Sequence, residues 1–379
     1  MSRAEAVMPA SSTVPPFRAD HVGSLLRPRA LTQGFRQLAA GEITGADYRA
    51  LQDAVIREVV ELQRAVGLRV ATDGEFRRGS YWGHFVDAVD GLSTKGALFE
   101  FHDESGNVQP FVAPHVSGKL RRARPISTGE FAFLKEAAAG TGLTPKVTLP
   151  SPPTMHFWRG AAGLDPSAYR DPVPFFADLA RIYRDEIRDL AALGCTYVQI
   201  DEVPLAMLCD PAVRETVRRR GDDPAALVGL YIDAINDAVA QRPAGMRAGL
   251  HMCRGNFKGK WLAEGGYDEV AERVFAEVAV DFFLLEYDTP RAGDFSPLRF
   301  LAKGKGAVLG LVCSKTPVLE DIDALHRRVD DAARYVPLER LAVGPQCGFA
   351  SAVSGNPVTI GDETRKLDLV VRLAQRVWG

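Results

Sequence analysis

From residue 17 onward, short apolar runs alternate with longer amphipathic stretches. The runs at 18–23, 70–75, 146–150, 197–202, 247–253, 282–287, 307–313 and 341–345 have strand length, and turn-forming residues bound them. Between them, the segments 48–65, 174–192, 224–240, 267–278, 322–335 and 363–377 repeat their apolar positions at steps of three and four, which predicts helices. Eight strands, each followed by a helix or a long loop, make the count of an α/β fold of the TIM-like (β/α)8 barrel type.

One stretch breaks the alternation. Residues 91–124 alternate polar and apolar positions around Glu104-Ser105-Gly106-Asn107, which predicts a β-hairpin inserted after the second strand. Such a hairpin could shield the barrel mouth or make a subunit contact, so a homo-oligomer is one expectation. Residues 1–16 are rich in Ala, Ser and Pro and lack the unbroken apolar stretch of a signal peptide. They are expected to form a flexible tail ahead of a single domain over 17–379.

Composition narrows the function classes. At 46% apolar residues the 379-residue chain can bury a substantial core, and a net charge of −2 gives no bias toward nucleic acid or a membrane surface. Short basic knots at 121–124 and 218–220 read as solvated faces. Five cysteines, an odd number without framework spacing, argue against a secreted disulfide scaffold and for a cytoplasmic protein with thiol or metal chemistry.

That chemistry centres on His251 and Cys253. At spacing i, i+2 their side chains share one face of an extended strand, where both could bind a single ion. Cys347 and Glu286 end later strands and could complete a site of the kind zinc prefers. A lone histidine or cysteine would read as structural, with Cys195 and Cys209 as small core residues, so the metal reading rests on the combination. In a parallel barrel all strand ends meet at one mouth. Those ends carry His21-Val22-Gly23-Ser24, Asp73-Gly74-Glu75, Asp201-Glu202, Asp288 and Cys313-Ser314-Lys315, with His156 and Trp158 just beyond the third strand. Carboxylates beside a metal suit a polar, amine-bearing substrate, while Trp158 fits packing as well as ligand stacking.

The runs His21-Val22-Gly23-Ser24, Asp73-Gly74-Glu75, Gln199-Ile200-Asp201-Glu202, His251-Met252-Cys253 and Gln346-Cys347-Gly348 resemble the catalytic C-terminal domain of cobalamin-independent methionine synthase. The likeness is to its short single-domain relatives and covers nearly the whole chain. It implies a methyltransferase with zinc (Zn2+) held by His251, Cys253, Glu286 and Cys347. Homocysteine would place its carboxylate at Gly23 and Ser24 and its ammonium at Glu75 and Asp201, with His21 and Glu202 completing the substrate site. Trp158 would pack on the pterin of a folate donor, and methionine would form from 5-methyltetrahydrofolate or another small methyl donor.

Two departures accompany the likeness. Full-length family enzymes carry a second, N-terminal barrel that helps bind the polyglutamylated folate, and this chain is expected to be of the single-domain kind. Where the family has His-Ser-Pro, with a histidine that protonates the departing folate, this chain has Lys315-Thr316-Pro317, so Lys315 becomes the candidate acid or a charge partner. Two further readings stay open. One is a zinc alkyltransferase using another thiol or electrophile, such as coenzyme M opening an epoxide; the other is a non-catalytic zinc-binding barrel. Replacing Cys253→Ser is expected to abolish both metal retention and activity, measured as zinc content by plasma mass spectrometry after dialysis; full zinc content would refute the ligand set.

Overall fold

A computed structural model describes residues 14–379. Ten strands are present among the described residues: β1 (Val70–Ala71), β2 (Val89–His102), β3 (Val108–Arg122), β4 (Thr144–Pro145), β5 (Val147–Pro150), β6 (Tyr197–Glu202), β7 (Arg247–Met252), β8 (Phe282–Glu286), β9 (Gly306–Val312) and β10 (Leu341–Pro345). Strands β5 to β10 form one all-parallel sheet in chain order. Most of their residues are buried on both faces, which is why they read as continuous apolar runs rather than alternating ones.

The helices begin where the chain provides caps. Asp171-Pro172, Asp210-Pro211 and Asp223-Pro224 each place an Asp whose side chain accepts an N–H of the first turn, followed by a proline pre-set for the first helical position. The helices Pro172–Ala192, Pro224–Val239 and Ile360–Trp378 lie close to the expected segments. Arg29–Ala39, Thr128–Ala137 and Pro211–Arg219 are helices that periodicity did not single out.

The first two expected strands depart from expectation. Segment 18–23 forms no strand; its ladder is one bridge, Ala19 to Val343 on β10. Its later carbonyls are taken by buried side chains instead: Lys146 Nζ donates to His21 O, Gln199 Nε2 to Val22 O at 2.5 Å and Thr72 Oγ1 to Gly23 O at 2.6 Å. The second strand keeps only β1, paired with β4. Beyond it the Thr72 N–H donates to Gln63 Oε1 at 2.9 Å instead of to a neighbouring strand, and Gly74 and Glu75 then both adopt positive φ, 68° and 60°. For Glu75 that conformation costs about 1–2 kcal/mol. Regular pairing therefore yields a six-stranded parallel sheet with a bridge on one flank and a two-residue pair near the other, not a closed ladder of eight.

Residues 1–13 of the expected tail lie outside the described residues. Val14, near the end of the expected tail, and Phe17, the first residue of the expected domain, pack on Val70, Tyr197, Phe282, Leu284, Val308 and Ala342. The long hairpin of β2 and β3 turns where Asp103 Oδ1 accepts from Ser105 N and Asn107 N, both at 3.0 Å. It is tied down at Leu98 N to Trp158 O (3.2 Å) and by the reciprocal backbone pair of His102 with Trp261. Among the described residues no helix is long and apolar enough to cross a membrane.

Lys146 and Asp20 are a fully buried ion pair at 2.9 Å. Lys146→Met would leave the Asp20 charge unpaired and is expected to cost about 3–5 kcal/mol. Urea denaturation followed by circular dichroism measures this, and a loss below about 1 kcal/mol would refute the bridging role.

Candidate active site

Near the carboxyl end of strand β7 (Arg247–Met252), His251 faces the cavity while its neighbours Leu250 and Met252 pack in the hydrophobic core. The chain leaves the ladder at Cys253, whose N–H donates to Glu202 O of β6 at 2.7 Å. Glu286 is the last residue of β8, and Cys347 follows β10 by two positions. One ligand-type atom of each of His251, Cys253, Glu286 and Cys347 falls within 4.8 Å of all the others, and all four residues are buried. The sequence named these four, and the fold brings them together.

The details suit a shared cation. His251 Nδ1 faces Leu284 O at 3.2 Å, which assigns the proton to Nδ1, while Nε2 is buried with no hydrogen-bond partner among the described residues. Cys253 Sγ and Cys347 Sγ stand 3.4 Å apart, too far for a disulfide and near the roughly 3.8 Å edge that two 2.3 Å metal–sulfur bonds subtend in a tetrahedron. The S–H of Cys253 on Cys347, with His251 and Lys315 nearby, holds the Cys347 thiol well below the ordinary range. A carboxylate, an imidazole and two thiols form a donor set for a borderline-soft divalent ion.

A frame behind the donors holds them. Glu286 Oε1 accepts from Arg254 N at 2.9 Å, and Glu286 N donates to the Tyr267 hydroxyl at 2.9 Å. The buried Arg254 guanidinium stacks over the Tyr267 ring at 4.1 Å and donates to Gly265 O and the Tyr267 hydroxyl. Sequence reasoning missed both residues; an arginine directly after the His-x-Cys run was the available signal.

The donors open into a cavity of about 520 Å³. Ser24, Glu75, Asp201 and Trp158 line it, as do His251, Cys253 and Cys347. Glu75 Oε1 accepts from Thr148 Oγ1 at 2.7 Å and lies 3.4 Å from the buried Arg78. Asp201 Oδ1 accepts from Gln199 at 2.7 Å. Burial, and then the neighbouring Glu75 charge, push the Asp201 carboxyl up to about 7. A cation bound beside these two carboxylates would relieve that repulsion.

Other expected residues lie off the wall. His21 is buried behind it, and its carbonyl takes the Lys146 ammonium. Glu202 Oε1 accepts from Leu205 N at 2.5 Å and so caps the turn after β6, while burial pushes its carboxyl up to about 8. Gly23, also outside the lining, holds a φ of 134° that a side chain would strain. Lys315 is buried outside the lining, and its Nζ has no hydrogen-bond partner among the described residues. Burial opposes its charge, yet Glu286, Asp288 and Cys347 outweigh that cost and hold it above the usual lysine range. The structure adds wall residues that the sequence did not mark, among them Tyr81, Trp82, Phe101, Phe111 and Phe257. Of these, Phe101 alone had a local signal, its period-two spacing with Phe99 in the hairpin.

A parallel α/β sheet with a buried His/Cys/Glu/Cys cluster at its carboxyl edge, three of its four residues lining a cavity that also presents carboxylates, defines an enzyme-like protein with a possible metal site. Residues 21–359 match the model of the cobalamin-independent synthase catalytic domain, and the chain belongs to that family. It is 40% identical to the uncharacterized protein YxjH of Bacillus subtilis, over 96% of this chain and 95% of that one. It is 29% identical to the methionine synthase of Pyrococcus abyssi, over 86% of this chain and 85% of that one. A crystal structure of a putative vitamin-B12 independent methionine synthase from Listeria monocytogenes superposes with a TM-score of 0.73 at 32% identity, covering 96% of this chain and 98% of that one.

Tyr267→Phe removes the hydroxyl that ties Arg254 to the Glu286 backbone. Metal affinity is expected to fall about tenfold or more, read by competition with a chromogenic chelator; wild-type affinity would show the frame to be idle.

Proposed function

We propose that the chain is a zinc-dependent thiol S-methyltransferase that transfers a methyl group to homocysteine and releases methionine. The observation that carries the reading is the opening of the His251, Cys253, Glu286 and Cys347 cluster into a cavity that also presents Glu75 and Asp201. A purely structural zinc site is closed and needs no such surroundings. The names of the archaeal and Listeria relatives support the same activity.

Zinc at these four residues would supply a thiolate at neutral pH from a thiol that is otherwise mostly protonated. The chain's own residues do the positioning. Glu75 and Asp201 receive the substrate ammonium, while Ser24 offers its hydroxyl to the carboxylate. Thr148, Arg78 and Gln199 hold the two carboxylates in place. Lys315, away from the wall, acts as a charge partner of the donor set rather than as an acid reaching the cavity. His21 and Glu202 support the wall from behind.

The same reading treats the six-stranded sheet and its two flanking segments as a TIM-like barrel whose first two strands are held by side chains. The free cysteines suit a reducing compartment such as the cytoplasm. A sulfonate thiol such as coenzyme M fits less well, because Glu75 and Asp201 would repel its anionic end.

Zinc-loaded protein with homocysteine and a panel of methyl donors should yield methionine by mass spectrometry, and its absence with every donor would overturn the reading. Asp201→Asn should raise the KM for homocysteine about tenfold to a hundredfold while sparing zinc content.

A further inference from the structure

The second substrate must share the same cavity, and the wall that would face it is chemically one-sided. Six aromatic rings, those of Tyr81, Trp82, Phe101, Phe111, Trp158 and Phe257, line it. Its carboxylates are those of Glu75, Asp87 and Asp201, and no Lys or Arg is among the described lining residues. Lys315 lies outside the lining on the side of the donor cluster, and other nearby cations are committed elsewhere. Arg27 donates to the carbonyls of Glu75, Arg78, Ala350 and Ala352. Arg78 is bound to Glu130 and Thr148, and Lys260 is paired with Asp103. Lys258 is exposed and rests 5.2 Å from the Phe257 ring centroid.

A folate brings at least two carboxylates on its tail, and this cavity offers them like charge. Aromatic faces with a carboxylate nearby instead attract a compact organic cation. The leaving group matters as well. A pterin nitrogen must be protonated as it departs, and Lys315 stands outside the wall. A cationic methyl donor needs no such acid.

Resting on the homocysteine methylation proposed above, we infer that the methyl donor is a small onium compound, a methylsulfonium or a methylated quaternary ammonium, seated among these rings beside Asp87. The homocysteine thiol loses its proton to solvent, and its sulfur forms a bond to the methyl carbon. The bond from that carbon to the onium atom breaks, and its electron pair stays on the leaving atom. The products are methionine and a neutral thioether or tertiary amine. Charge and atoms balance with no redox partner and no proton delivered to the leaving group.

The test uses the full-length zinc-loaded protein and deuterium-labelled homocysteine, so that new methionine is distinguished from a demethylated donor. S-methylmethionine and dimethylsulfoniopropionate make the sulfonium arm, glycine betaine the ammonium arm, and 5-methyltetrahydrofolate with one or three glutamates the anionic arm. Labelled methionine from an onium arm and none from the folates is the expected result. Labelled methionine from the folates alone would overturn the donor inference and leave the methyltransferase reading standing. No product from any onium, with homocysteine still binding by calorimetry, would also overturn the inference. Loss of homocysteine binding would bring down the underlying reading itself. Asp87→Asn and Phe111→Leu, checked for zinc content and circular dichroism, should each raise the onium KM about threefold to tenfold with little change in kcat; an unchanged KM in both would refute the seat.

Discussion

One buried ammonium holds together the part of the sheet that the backbone ladder leaves open. Lys146 Nζ meets Asp20 Oδ1 at 2.9 Å and Gln199 Oε1 at 3.0 Å, and it also donates to His21 O. Tyr197 adds its hydroxyl to the other Asp20 oxygen at 2.7 Å. With its charge and donors satisfied, the cluster escapes the penalty of an isolated buried ion. It also has a direct link to the cavity. Gln199, oriented by Lys146, passes its own N–H groups to Val22 O and to Asp201 Oδ1. The segment that replaces the first strand and a carboxylate of the wall are thus positioned by the same side chain.

The donor cluster is held from the opposite side by similar means. Arg254 and Tyr267 carry no metal-ligating atom, yet their bonds fix the backbone of Glu286 and the turn beyond Cys253. Hydrogen bonds of this outer kind set ring orientation and ligand basicity. The aromatic hairpin supplies the remaining wall, and its contact with Trp158 and Trp261 places a long antiparallel ribbon over the carboxyl end of a parallel sheet. Three unrelated devices, a buried ion network, a stacked arginine and a hairpin, converge on one volume.

Much of this was legible in the sequence, for physical reasons that differ by element. β6 and β10 fall on the expected residues because a strand buried on both faces writes itself as an apolar run. His251, Cys253, Glu286 and Cys347 were legible because parallel strands deliver their ends to one edge, so position along each run predicted proximity. Segment 18–23 misled because its carbonyls bond to Lys146, Gln199 and Thr72, partners far away in the chain that no local pattern records. Segment 72–75 left its strand because the Thr72 N–H goes to the Gln63 side chain, and the positive φ of Glu75, a residue that is not glycine, is likewise nothing that composition announces. Apart from Trp158, most of the cavity's rings were hidden for a different reason: Tyr81, Phe111 and Phe257 come from separate segments of the chain, and only the finished fold makes them line one cavity.

The spread of the donors along the chain has a thermodynamic consequence. Cys253 and Cys347 are 94 residues apart, so an unfolded chain keeps only the local His-x-Cys pair. An ion held by all four residues binds the native state far more tightly than the denatured one, and its binding free energy adds to folding stability as the logarithm of free metal concentration. Metal supply would then act as a rheostat on the lifetime of the folded protein, separately from whatever it does for the reaction.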